Sequence, residues 1–213
     1  MTLGSFRILL ASAFCLFSWW AKAQETPSGV IIRNVRLSGA GCDSSASAVV
    51  SGDAKSLSIL FDNYMLEIGQ GSSRPTATSA QKDCLVQIDL EVPTGWTYNF
   101  DAIDYRGFAA LPASAWAFHR FSVQAPNMPI SSMREAMVNG PNNQNYFVSI
   151  KQKPGRLPWS ACNQRIQTVT LLSQLGVSYF PRTTDRTMAT ISLDSTDLSL
   201  SQSLKMIWKR CSR

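Results

Sequence analysis

Cys84–Leu111 reads CLVQIDLEVPTGWTYNFDAIDYRGFAAL, and both of its halves alternate with the period of a β-strand. Cys84, Val86, Ile88, Leu90 and Val92 share one parity, Leu85, Gln87, Asp89 and Glu91 the other. Successive strand side chains point to opposite faces, so this pattern gives one apolar and one mostly polar face, as in a half-buried antiparallel strand. Pro93-Thr94-Gly95 is a turn, after which Trp96, Tyr98 and Phe100 resume the alternation. The stretch is expected to be the central hairpin of a sandwich, with the dense cluster Asp104-Tyr105-Arg106-Gly107 at its exit.

Outward from it, short strand patterns recur at Val30–Leu37, Ala46–Ser51, Leu57–Asp62, Trp116–Gln124, Tyr146–Lys151, Ile166–Leu172, Thr187–Leu193 and Leu204–Trp208. Gly52-Asp53 predicts a hairpin between two of them, and Tyr64–Ile68 is expected to continue that pairing. Ser131–Met137 reads either as a short helix or as an excursion of a sheet edge. Gly, Pro, Asn and Asp punctuate the strands and helical periodicity is nearly absent, which predicts an all-β fold. A two-sheet antiparallel β-sandwich, jelly-roll or immunoglobulin-like, is the expected form, with a closed β-barrel as the alternative.

The first 23 residues have the composition of a secretory signal peptide. Arg7 precedes the uncharged apolar run Ile8–Ala21, and Ala21-Lys22-Ala23 gives the small-x-small cleavage pattern, so the mature chain is expected to begin at Gln24. No later stretch is long and apolar enough to span a bilayer as a helix. The expected location is therefore secreted or periplasmic. Residues 24–34 are expected to be a loose N-terminal segment, and 35–211 one β-sandwich domain.

Taking Arg7 and Lys22 from the 20 Lys+Arg leaves 18 against 14 Asp+Glu, a mature net charge of +4. The cations are scattered, which argues against nucleic acid as a dedicated partner. A mild attraction to anionic envelope components or polysaccharides is consistent with this charge. Four mature cysteines, Cys42, Cys84, Cys162 and Cys211, form an even set in an exported chain and imply two disulfides. Three connectivities exist; one bridge in each half, Cys42–Cys84 and Cys162–Cys211, is preferred. The cysteine spacing does not suit zinc and His119 is the only histidine, so neither metal nor cofactor is expected.

Several landmarks occur in a familiar order: Gly39-Ala40-Gly41-Cys42, Phe61-Asp62, Ile68-Gly69, Cys84, Pro93-Thr94-Gly95-Trp96, Asp104-Tyr105-Arg106-Gly107, Gly140-Pro141, Trp159-Ser160-Ala161-Cys162, Asp194-Ser195-Thr196-Asp197 and Trp208-Lys209-Arg210-Cys211. Over roughly Val35–Cys211 the chain resembles the secreted proteins grouped as domain of unknown function 4360, found in fungi and some bacteria. Phe108 stands where that family is expected to carry Tyr, and Ala161 and Asn163 where Pro and Gly are expected. The resemblance implies export, four paired cysteines and one domain, and supplies no reaction.

Asp104, Tyr105 and Arg106 are the best functional candidates. An acid, a phenol and a planar guanidinium fork suit a sugar or a carboxylate. The commoner use of such a cluster is an Asp–Arg pair at a strand end, with Gly107 permitting a bulge or turn. Trp96, like Tyr105, is expected to be exposed and available for stacking on a ligand, whereas Trp159 and Trp208, each three residues before a cysteine, are expected to be structural. His119 is expected on a polar strand face.

Four carboxylate pairs, Asp62 with Glu67, Asp89 with Glu91, Asp101 with Asp104 and Asp194 with Asp197, raise the alternative of an extracellular polysaccharide hydrolase, which needs one carboxyl with a raised pKa. Asp194-Ser195-Thr196-Asp197 reads as a turn rather than a calcium loop. The sequence favours a non-catalytic binding or surface-associated module with a glycan or cell-envelope ligand over that hydrolase.

Overall fold

The computed structural model describes residues 25–42, 46–125, 134–151, 159–193 and 202–212. Within them lie twelve strands: β1 (Ile31–Ser38), β2 (Ser47–Val50), β3 (Ser56–Leu60), β4 (Met65–Ile68), β5 (Ser79–Glu91), β6 (Trp96–Leu111), β7 (Ala115–Gln124), β8 (Arg134–Asn139), β9 (Asn142–Lys151), β10 (Ile166–Tyr179), β11 (Ala189–Ser192) and β12 (Gln202–Arg210). They form two antiparallel sheets. One runs β1-β5-β10-β7-β8; the other runs β2-β3-β12-β6-β11-β4, with β9 paired to β6 as well. Both sheets are open-edged, so the sandwich is the architecture and the barrel alternative is excluded.

The alternation in Cys84–Leu111 places side chains as expected: Cys84, Val86, Ile88, Leu90 and Val92 are buried. The hairpin is overturned. β5 pairs β1 and β10, whereas β6 pairs β12, β9 and β11 in the other sheet. The turn is an arch that carries the chain across the core, with Gly95 at φ 82°, where L side chains are strained. Both strands turn an apolar face inward from opposite sides, a pattern that alternation alone does not distinguish from pairing. Leu111–Ala115 is a second such crossing, from β6 to β7.

Other expectations divide in the same way. β2 and β3 pair around Gly52-Asp53, but β4 pairs β11 instead of continuing that hairpin. Arg134–Asn139 is an edge strand on β7, which settles the described part of Ser131–Met137 as β; residues 131–133 lie outside the described residues. β1 takes in Ile31–Asn34, which the sequence groups with the loose N-terminal segment, because their backbone continues the ladder to β5.

Both preferred disulfides are present, with Cα–Cα separations of 4.9 Å for Cys42–Cys84 and 5.8 Å for Cys162–Cys211. The first ties the turn after β1 to β5. The second joins the chain entering β10 to the chain leaving β12, and so links the two sheets at one end. On the chain-entropy model each contributes about 4 kcal/mol. One core fills the space between the sheets, built from Ile88 and Leu90 on β5, Leu171 and Leu175 on β10, and Tyr98, Phe100 and Ile103 on β6.

Candidate functional site

Asp104-Tyr105-Arg106-Gly107 lies within the 16-residue strand β6 and not at its end. Strand periodicity therefore divides the motif between two environments. Tyr105 and Gly107 face the core; Asp104 and Arg106 face outward. Tyr105 is 0% exposed, its ring 4.3 Å from that of His119 and 6.1 Å from that of Phe121 on the opposing sheet. The expected exposure of Tyr105 is thus overturned, because its parity is that of Ile103 and Ala109. Gly107 makes no bulge, since the register between β6 and β9 runs through it unbroken. Its missing side chain makes room for the Tyr146 ring and the Ser192 carbonyl, which a Cβ would strike.

Trp96 is also buried, at 7% exposure, with the Arg210 guanidinium 3.9 Å from its ring centre. It offers no open stacking face, contrary to expectation. Trp208 is structural as expected, its indole N–H donating to the Ala54 carbonyl at 2.6 Å. Trp159 is half-buried beneath the Lys209 ammonium, 4.2 Å from its ring.

What remains of the motif heads an ordered surface. In register across four strands of the larger sheet stand Ser58 on β3, Ser203 on β12, Asp104 on β6 and Ser149 on β9. Ser149 donates its hydroxyl to Asp104 Oδ1 at 2.6 Å, and Lys205 Nζ lies 3.2 Å from Oδ2. Ser58 donates to the Ser203 hydroxyl at 3.2 Å. One row along, Lys205 and Lys151 flank Ala102 from β12 and β9. On the other side Arg106 is opposite Phe147, which is 56% exposed, with the guanidinium carbon 5.3 Å from its ring centre. Ser58, Ser203, Asp104 and Arg106 line a hollow of about 230 Å³.

Asp104 is thus fixed by a hydroxyl and an ammonium, while Arg106 and Lys151 add two exposed cations. The surface combines positive charge, hydroxyls that donate and accept, and one aromatic ring. Phe147, Ser149, Lys151, Ser203, Lys205 and Ser58 were not singled out from sequence. The available signal was the parity of Tyr146–Lys151, which sends Tyr146 and Val148 inward and Phe147, Ser149 and Lys151 outward.

The pair Asp89 and Glu91 takes another role, in ion pairs with arginines. Asp89 is held below its usual range by the Arg36 guanidinium and the Thr168 hydroxyl. Glu91, bound by both Arg33 and Arg165, is lowered likewise. A general acid requires the opposite shift. Arginines from β1 and from the loop before β10 cover these two carboxylates. Asp101 is exposed beside the register shift between β6 and β12. Asp194 and Asp197, and with them the Asp194-Ser195-Thr196-Asp197 run, lie outside the described residues.

His119 is 1% exposed, not on a polar face, and its Nε2 is 2.7 Å from the Ser173 hydroxyl. Burial lowers its pKa to about 3, so it is neutral.

Among known proteins, the model of the family described as Domain of unknown function (DUF4360) matches residues 28–211. A protein of Arthroderma benhamiae described as an uncharacterized secreted protein is 28% identical over 191 residues, covering 87% of this chain and 73% of that one. The solved structure described as TmCBM61 in complex with beta-1,4-galactotriose aligns with 84% of this chain and 90% of that one, at 10% identity and a TM-score of 0.31. Among the described residues no helix is long and apolar enough to cross a membrane.

Proposed function

For this chain, which belongs to the DUF4360 family, we propose an exported, non-catalytic module that binds a carboxylated glycan on the outer face of its larger sheet. The observation that carries the reading is the three-row surface around Asp104: cations at Lys151, Lys205 and Arg106, hydroxyls at Ser58, Ser203 and Ser149, and the exposed Phe147 ring. A uronate residue matches it chemically. Its carboxylate suits the planar fork of Arg106. Its hydroxyls suit Asp104 and the serines, and its C–H face suits Phe147. The rows stand two residues apart on β6, about 7 Å. Export is supported by the signal-like first 23 residues, the paired cysteines and the secreted description of the Arthroderma relative.

Titration calorimetry of the secreted protein against polygalacturonate, alginate and dextran tests this. Binding to an acidic polymer and not to dextran, weakened about ten-fold or more by Arg106→Ala and by raised salt, is the expected result. Equal binding by Arg106→Ala, or no binding to either acidic polymer, would overturn it.

A further inference from the structure

We infer that the opposite outer face, on the five-stranded sheet, carries a separate platform for a neutral polysaccharide chain, centred on Trp116 with Phe118 packed behind it. Both lie on the outward parity of β7: Trp116 is half-buried, whereas Phe118, 7% exposed, lies under Arg120 and backs it. Their ring centres are 5.7 Å apart and their planes differ by 34°. The strand register builds the rest. Ser178 on β10 stands between Trp116 and Ser79, and Gly176 stands between Phe118 and Gln81 on β5. A Cβ at Gly176 would collide with the Phe118 ring, so the glycine is what allows that ring to lie across β10.

The result is a hollow of about 390 Å³ with Trp116 and Phe118 on one side and Ser79, Gln81 and Ser178 on the other. Small-ligand sites span about 300–1,000 Å³, apolar with a few placed polar groups. A pyranose has apolar C–H faces and a hydroxylated edge, so the Trp116 ring beside two hydroxyls and an amide meets both parts of it.

Charge separates this site from the one around Asp104. The bordering cation, Arg120, lies 4.2 Å from the Phe118 ring centre and is held by Glu135 at 2.8 Å. Asp83, in the same flanking region, accepts the side-chain amides of Gln81 at 2.9 Å and Gln174 at 3.2 Å. No cation among these residues is left to bind an anion, so the ligand is a neutral glycan. The two sites share no residue and stand on different sheets, so either can fail alone.

Trp116 is half-buried, and its fluorescence reports occupancy. The experiment titrates the secreted protein with laminarihexaose, cellohexaose and mannohexaose, comparing wild type, Trp116→Ala and Gln81→Ala by calorimetry. Circular dichroism checks folding, and the exposed Gln81 serves should Trp116→Ala not fold. The expected result is binding of at least one neutral hexasaccharide with a change in tryptophan emission, weakened about ten-fold by Trp116→Ala and several-fold by Gln81→Ala. Absence of binding to all three, or unchanged affinity in a folded Trp116→Ala, overturns the proposal. A wild-type dimer that Trp116→Ala converts to monomer in sedimentation would overturn it too, by showing that the face is a self-association surface. The probes carry no charge, so failure of the acidic-glycan reading does not alter this outcome.

Discussion

His119 makes the stability of this fold depend on pH between 8 and 5, above the ordinary range of carboxylate titration. It is the only histidine and is sealed between the sheets against Tyr105. Its folded-state pKa of about 3 lies below the unfolded value of about 6.5. Below pH 6.5 the unfolded chain therefore takes up a proton that the folded chain refuses. Stability is complete above that value and falls as pH drops towards 3, by at most about 1.4 kcal/mol per pH unit. Between pH 8 and pH 5 the loss is about 2 kcal/mol, roughly 1 M in urea midpoint for a chain of this size. Replacement by Gln, which never charges and can still bond Ser173, removes that loss whatever it does to stability at pH 8. Urea unfolding of both proteins at the two pH values, followed by circular dichroism with the disulfides intact, gives the difference of differences. If His119→Gln loses as much stability between pH 8 and pH 5 as the wild type, the reasoning is refuted.

Two further outcomes follow from the packing. Gly107→Ala places a methyl group against the Tyr146 ring and the Ser192 carbonyl, and is expected to cost about 1–3 kcal/mol in urea unfolding; a cost below about 0.5 kcal/mol would show that the ring is not confined there. Replacing Cys162 and Cys211 together by Ser opens a loop of 49 residues and is expected to lower stability by up to about 4 kcal/mol, while the same change at Cys42 and Cys84, with a separation of 42, costs a similar amount. Peptide mapping without reduction would show a Cys42 peptide joined to Cys162 or Cys211 if the pairing were wrong.

Burial proved far more legible in the sequence than partnership. The parity of Cys84–Val92 identified the inward residues, because burial is encoded in side chains. In Trp96–Phe100, by contrast, Trp96, expected to be exposed, is buried together with Thr97 and Asn99 of the other parity. Which strand lies alongside is encoded in backbone hydrogen bonds, which are the same for every neighbour, so β5 and β6 read as a hairpin although they belong to different sheets. His119 was readable by the same rule: it shares parity with Ala117, Phe121 and Val123, which are buried. The polar type of one residue obscured the pattern of the set. Asp104 and Arg106 were found from composition, yet their companions Ser149, Lys205 and Phe147 come from strands 41 to 101 positions away and meet them only through the register.

The motif Asp104-Tyr105-Arg106-Gly107 shows how a site that joins the buried Asp104 to the exposed Arg106 is held in place. Tyr105 reaches across the core to His119 and Phe121, and Gly107 admits Tyr146, whose hydroxyl donates to the Ser192 carbonyl on β11 at 3.4 Å. These inward contacts fix the backbone on which Asp104 and Arg106 stand one residue away on the other face. Packing and surface chemistry therefore occupy alternate residues of one strand. A change at Arg106 removes an exposed group and leaves the core untouched, so its effect on stability is expected within about 0.5 kcal/mol. Tyr105→Phe keeps the ring and its packing, whereas Tyr105→Ala opens a cavity worth about 3–5 kcal/mol and loosens the segment that carries both outward groups. Ligand binding that falls with Arg106→Ala at constant stability, and with Tyr105→Ala only alongside unfolding, is the signature of that division.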